Sequence, residues 1–286
     1  MAEASTLIEQ AVAEEHAPEL YTLGAVATPL NGLGALDDAA VARYRADGFL
    51  AVANALSPEE VEAARAGLTA LTLGANPDFK GVLFEAAARE RLSDLSGPER
   101  ELAVRKLFSF VNFDARLGRL ANGHALQAAA SKLMGGAEPK LFQDMALVKP
   151  PKIGREKPWH QDCAYFNFAQ GTPVVGIWIA LDEATIENGC MFVLPGAHRD
   201  GPRIHWKRRD WQLCDREMLC VPATAVPLPP GGALFFDGLL PHGTPVNKSG
   251  KRRRALQYHY APAGAVQDAK EERLKLFGSE GKDVTC

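Results

Sequence analysis

From about residue 140 the chain alternates short apolar runs with turn residues. The runs are LFQDMALV, TPVVGIWIAL, CMFVLP, ALFFDG and ALQYHYA. Between them stand Pro150-Pro151, Pro195-Gly196, Pro229-Pro230-Gly231-Gly232 and Pro241. Many short strands with regular breakers predict a β-barrel or sandwich. The first half reads differently. Residues 37–47, DDAAVARYRAD, have helical character with acidic residues in the first turn, where the helix dipole favours them. GFLAVANAL follows as a strand. Ser57-Pro58-Glu59-Glu60 then opens a second helix. Ser57 suits the N-cap, Pro58 the first helical position and Glu60 the reciprocal capping box. Residues 99–106 and 123–134 read as further helices, and residues 1–35 as an irregular arm with room for one short helix. The expected fold is mainly β with packed helices, the N-terminal helices buttressing one sheet, because each apolar face must be buried against another.

Composition narrows the class. The chain has 286 residues, 47% hydrophobic and 23% charged, with a net charge of −3. This balance argues against nucleic-acid or membrane-surface binding. No window reaches the roughly 18 apolar residues of a membrane span. The acidic start, MAEASTLIEQAVAEEH, lacks a basic-then-apolar leader pattern, so a cytoplasmic protein is expected. Cys163, Cys190, Cys214, Cys220 and Cys286 are odd in number and lack C-x-x-C spacing. They are expected to be reduced thiols, with no structural zinc site.

The candidate chemistry is His160-Gln161-Asp162, joined by the distant His242. Two imidazoles and one carboxylate are a ligand set for non-haem Fe(II) with open positions. On a strand, residues i and i+2 share a face, so His160 and Asp162 aim at one point while Gln161 faces away. The third ligand must come from another strand. A bare H-x-D also occurs on ordinary strands, so the motif carries weight only with its partners.

Those partners bring a resemblance. WHQDCAYF, then WIALDEATIENGCMFVLPGAH, then LLPHGTPVNKSGKRRRAL resemble the phytanoyl-CoA dioxygenase family, a branch of the Fe(II)/2-oxoglutarate-dependent oxygenases. YRADGFLAVANALSPEEVEAAR resembles the family's opening strand and helix, so the likeness spans roughly residues 40–261. It implies a double-stranded β-helix (jelly-roll, cupin-like) core over residues 136–262. A mostly helical part (36–135) would precede it and a C-terminal segment (263–286) follow, all in one domain. It implies Fe(II) held by His160, Asp162 and His242, with 2-oxoglutarate and O2 as cosubstrates. An arginine eleven residues after the distal histidine, here Arg253, would grip the far carboxylate of 2-oxoglutarate through a two-pronged contact. Thr244 would add a hydroxyl, Trp178 would pack nearby, and Lys106 and Gln143 would reach the same cosubstrate. Neighbours on a strand face opposite ways, so either Arg253 points inward or Arg252 and Arg254 do. Family relatives that halogenate lack the carboxylate ligand. Asp162 therefore implies hydroxylation of a small-molecule C–H, or a related oxidation such as desaturation or ring closure, with release of succinate and CO2.

The substrate side is read from position alone. Tyr165, Phe166 and Phe168 follow the metal motif, and Trp206 lies in a long insertion, residues 198–221. Arg199, Arg203, Lys207, Arg208 and Arg209 in that insertion would form either a solvated loop face or a basic lid favouring an anionic substrate. His259, two residues from Gln257 on the last strand, is a further pocket candidate. Two rival readings use the same ligands: a jelly-roll that binds a metal without turnover, and a zinc hydrolase. The second leaves the Arg253 offset unexplained. Oligomeric state is not set by the sequence.

Overall fold

Residues 7–8 and 16–278 are described in the computed structural model. The N-terminal part gives β1 (Leu7–Ile8), β2 (Leu23–Val26), β3 (Leu30–Asn31), α1 (Asp38–Asp47), β4 (Phe49–Ala53), α2 (Pro58–Thr72), β5 (Val82–Phe84), α3 (Gly97–Leu102), β6 (Val104–Phe108), α4 (Ala115–Ala121) and α5 (His124–Leu133). Then come β7 (Pro139–Lys149), β8 (Lys157–His160), β9 (Val175–Ala180), β10 (Met191–Val193), β11 (His205–Lys207), β12 (Trp211–Leu213) and α6 (Asp215–Met218). The chain closes with β13 (Ala223–Val226), β14 (Ala233–Asp237), β15 (His242–Thr244), β16 (Arg253–Pro262) and α7 (Lys270–Phe277).

The strands form two facing sheets. The larger has the order β1-β5-β6-β7-β16-β9-β14-β4-β3, the smaller β2-β13-β10-β15-β8, and β11-β12 is a separate hairpin. β9 is buried along its whole length, which explains why VGIWIA is continuously apolar. Ile177 and Ile179 pack with the helices, while Trp178 and Ala180 pack between the sheets. β16 divides in the same way: Leu256, Tyr258 and Tyr260 join the helical side, and Ala255 the space between sheets. The Tyr260 hydroxyl donates to the Ala121 carbonyl at the end of α4 (2.5 Å), fixing that helix to the sheet. The result is a jelly-roll with helices on the outer face of its larger sheet.

Local signals account for most elements. The capping box at α2 is present, with Glu60 N donating to Ser57 Oγ (3.2 Å) and Ser57 N to Glu60 Oε2 (2.8 Å). The helix read over 99–106 is shorter than expected. It ends at Leu102, and β6 begins at Val104, so Lys106 stands on a strand. There Val104 and Leu107 bury into the core, and the tertiary pairing with β5 and β7 overrides the local pattern. The arm also holds more than one turn, because β2 pairs with β13 and β3 with β4. Cys214 is in a disulfide, contrary to the expectation of reduced thiols throughout, while Cys163, Cys190 and Cys220 are free. Among the described residues no helix is long and apolar enough to cross a membrane.

Candidate active site

β8 and β15 run antiparallel, with His160 directly opposite His242. Their ring centres are 4.2 Å apart. The strand stops at His160. Gln161 keeps extended dihedrals, and Asp162 begins a single 3-10 turn, Asp162–Tyr165. Asp162 thus stands two residues beyond the end of the strand on which the spacing placed it, because Cys163 N bonds to the Gly238 carbonyl (2.9 Å) and leaves the ladder. The extended Gln161 preserves the alternation, so Asp162 still turns to the His160 side. His160 Nε2 is 3.2 Å from Asp162 Oδ1, and His242 Nε2 is 3.7 Å from Asp162 Oδ2. One donor atom from each of the three lies within 4.8 Å of the others.

The two histidines have the geometry that metal binding would require. His160 Nδ1 contacts the Pro158 carbonyl (2.8 Å) and His242 Nδ1 the Leu240 carbonyl (2.9 Å). A carbonyl only accepts, so Nδ1 carries the proton and each Nε2 turns its lone pair to the shared point. Burial, then the Lys157 and His242 charges, pushes His160 down to about 3; burial also lowers His242. Both rings are therefore neutral at pH 7. This donor set fits a divalent cation of the Fe(II) type.

Asp162 has two further partners. His259 Nε2 lies 2.7 Å and Gln257 Nε2 3.1 Å from its Oδ2. Both residues lie on β16 at the same parity as Arg253. Stepping by two from Arg253 through Ala255 is the sequence signal that reaches them.

A cavity of about 240 Å³ runs from the triad to Arg253. Arg253 is 1% exposed and donates through Nη1 to the Leu147 carbonyl (3.1 Å). Its guanidinium lies over the Trp178 ring at 5.2 Å, and its Nε has no protein partner. The neighbouring arginines face away. Arg254 makes a two-pronged pair with Asp182 (2.9 and 2.8 Å), and Arg252 approaches Glu101 (3.9 Å). Thr244, Lys106, Gln143, Tyr165 and Phe166 also reach the cavity wall. Gln143 Oε1 is buried there without a partner. Trp178 is fully buried behind Arg253 and does not line the cavity. Phe168 and Trp206 are not on the wall either. Phe168 packs against Phe142 at 4.8 Å and bridges to Gln267, and Trp206 sits in the β11–β12 hairpin opposite Gln212.

The family model for phytanoyl-CoA dioxygenase (PhyH) matches residues 44–255. The chain belongs to the phytanoyl-CoA dioxygenase family. That makes it a non-haem iron, 2-oxoglutarate-dependent oxygenase. Similar proteins include phytanoyl-CoA dioxygenase domain-containing protein 1 of Danio rerio, 26% identical over 265 residues (78% of this chain, 89% of that protein). Ectoine dioxygenase of Halomonas elongata is 29% identical over 239 residues (76% and 67%). The solved structure of EvdO2 from Micromonospora carbonacea var. aurantiaca, complexed with 2-oxoglutarate, matches at 26% identity and TM-score 0.64. It covers 90% of this chain and 100% of that one.

In this phytanoyl-CoA dioxygenase family member the 198–221 insertion keeps Arg199, Lys207 and Arg208 exposed, as a solvated face would, while Arg209 turns inward as a clamp. Arg209, 6% exposed, bonds Glu156 (2.8 Å) and Asp215 (2.5 and 2.9 Å). Arg203 pairs with Asp200 (2.7 Å) and Arg208 with Asp215 (3.0 Å). Lys157, on the cavity wall, is held by Asp210 (2.7 Å) and Tyr165 (3.0 Å). Gln161, facing away from the metal point, closes the clamp. Its N–H donates to His205 Nε2 (3.0 Å), and its amide contacts Gly201, Arg203 and Leu239.

Proposed function

We propose that this oxygenase hydroxylates a C–H of a small anionic metabolite, with His160, Asp162 and His242 holding Fe(II) and Arg253 holding 2-oxoglutarate. The observation that carries the reading is the single cavity joining three convergent ligand atoms to a buried guanidinium. A buried charge without an anion is costly, and among the described residues Arg253 makes no ion pair, touching the Trp178 ring and the Leu147 carbonyl. A carboxylate completes it, and Thr244 would add a hydroxyl on the same side. Bound at this site, iron and 2-oxoglutarate supply the oxidising power, with O2 consumed and succinate and CO2 released. The chain's own residues orient and protect: Trp178 backs the guanidinium, while Tyr165 and Phe166 wall the cavity beside the triad and exclude water.

The substrate class rests on charge and size. Arg105, Lys106, Lys149, Arg155, Lys157 and Arg253 line the cavity, against Glu156 and Asp162. Glu85 lies by Arg105 (3.5 Å), Asp210 by Lys157 (2.7 Å) and Arg209 by Glu156 (2.8 Å), and burial pushes Lys149 well below the usual lysine range, so what supports an anionic substrate is the excess of basic over acidic residue types on the wall. A cavity of about 240 Å³ suits a short metabolite rather than an enclosed long acyl chain. The ectoine dioxygenase relative, named for a small substrate, points the same way.

An anaerobic titration of the metal-free protein with Fe(II), then 2-oxoglutarate, tests the reading. A visible metal-to-ligand charge-transfer band is expected, absent in Asp162→Ala. Succinate release should then rise with small carboxylates or phosphates and not with their neutral isosteres. Tight zinc binding without the band would overturn the oxygenase site, and turnover of neutral compounds alone would overturn the anionic class.

A further inference from the structure

Asp162 divides its two oxygens between two tasks. Oδ1 is the oxygen next to His160 Nε2, at 3.2 Å. Oδ2 is 3.7 Å from His242 Nε2 and receives both His259 Nε2 (2.7 Å) and Gln257 Nε2 (3.1 Å). We infer that His259, with Gln257, is a positioning residue that occupies Oδ2 and leaves Oδ1 alone to bind the metal. This rests on the proposal that the triad holds iron.

The surroundings of His259 exclude a different task. The residue is 0% exposed. Its ring lies 5.0 Å from Phe166, 6.0 Å from Phe142 and 6.1 Å from Phe236. Its Nδ1 has no partner. A polar ring in an aromatic box is costly unless its polar contacts repay it, and these are all at Nε2. An ionised carboxylate only accepts, so Nε2 carries the proton and donates. Gln257 donates as well, and its nitrogen stands 3.2 Å from His259 Nε2 because both converge on one oxygen. A carboxylate oxygen has two lone-pair sites. Two donors fill them, so Oδ2 is spent and the carboxylate offers one contact, not a chelate. A coordination position that a second oxygen would have taken stays open for reactants.

Two variants separate donation from packing. His259→Phe keeps an aromatic ring and removes the donor, whereas His259→Gln keeps a nitrogen donor four bonds from Cα, as far out as the imidazole Nε2, and removes the ring. The measurement is the Kd of the metal-free full chain for Co(II), an air-stable stand-in for Fe(II), by calorimetry, with the Co(II) visible spectrum and Tm recorded alongside. His259→Phe should weaken Co(II) binding about 10–100-fold, the range for loss of a residue supporting a ligand. It should also alter the ligand-field bands, with little change in Tm. His259→Gln should recover most of the affinity. Unchanged affinity and spectrum in His259→Phe, or equal loss in both variants tracking a fall in Tm, would overturn the inference. If the unaltered chain binds no metal, the oxygenase site itself fails and the inference goes with it; metal binding with unaffected variants sinks the inference alone.

Discussion

Arg253 is the cation whose position carries the cosubstrate proposal. Burial lowers its pKa to about 10, so it remains charged at pH 7 at considerable desolvation cost. Removing one partner of a buried charge pair typically costs about 2–5 kcal/mol, or roughly 30- to several-thousand-fold in Kd. Arg253→Ala should therefore weaken 2-oxoglutarate binding by that factor while leaving Co(II) affinity intact. Arg254→Ala should leave 2-oxoglutarate Kd unchanged and lower Tm, because Asp182 loses its two-pronged partner. If Arg254→Ala raises that Kd instead, the inward register is wrong. The run Arg252-Arg253-Arg254 was ambiguous in sequence because strand alternation fixes only which members share a face. The choice needed the pairing of β16 with β7 and β9, information that no local pattern carries. His259 was half-legible for the same reason: its parity was readable, but its contact with Asp162 depended on where the chain turned after His160.

At the scale of elements, the 198–221 segment departs most from expectation. Its arginines read as a solvated or substrate-facing cluster because one partner of Arg209, Glu156, lies far away in sequence. Folded, Arg209 bridges Glu156 and Asp215, with the three side chains only 6%, 6% and 13% exposed. Arg209→Ala would take one partner from each carboxylate, leaving Glu156 with the Tyr21 hydroxyl (2.8 Å) and Asp215 with Arg208 (3.0 Å), so the loss should reach about 3 kcal/mol at most, the lower end for breaking a buried ion pair. Urea unfolding should show that loss as a lower midpoint with an unchanged slope. A change under 1 kcal/mol would mean that water reaches the pair. Trp206 was drawn to the site by its place in this insertion, but the hairpin register holds it opposite Gln212. Local signals did better where the physics is local, as in the capping box of α2 and the short strands divided by proline and glycine. They failed at 99–106, where pairing on both sides made a strand of residues that could have prolonged a helix.

For the whole molecule, buried imidazoles set an acid limit on stability. Burial holds His160 at about 3 and His205 at about 4, against an ordinary value near 6.5. Between those values the unfolded chain binds more protons than the folded one. Stability is therefore lost as pH falls from about 6.5 towards 4 and is fully present above about 7. Thermal unfolding of the metal-free protein should give a Tm that drops over that interval, and a flat profile would contradict the neutral assignment of these rings. The architecture was legible as a class, helices on a β core, because both faces of the larger sheet demand apolar cover and the sequence supplies it in two periodicities. The cavity was not, since its wall is assembled from both sheets and from the turn that follows His160.

One strand, β16, carries Arg253, Gln257 and His259 on a single face. The proposed anchor for the cosubstrate and the support for a metal ligand thus share one uninterrupted backbone ladder. Deleting a residue between them would put one of the two on the wrong side, so the strand tolerates exchange of side chains far better than any change of length. The turn around residues 150–155, which reaches the cavity wall at Arg155, is under no such rule. A lineage needing a new substrate can lengthen, shorten or rewrite it, and must inherit β16 at its present length.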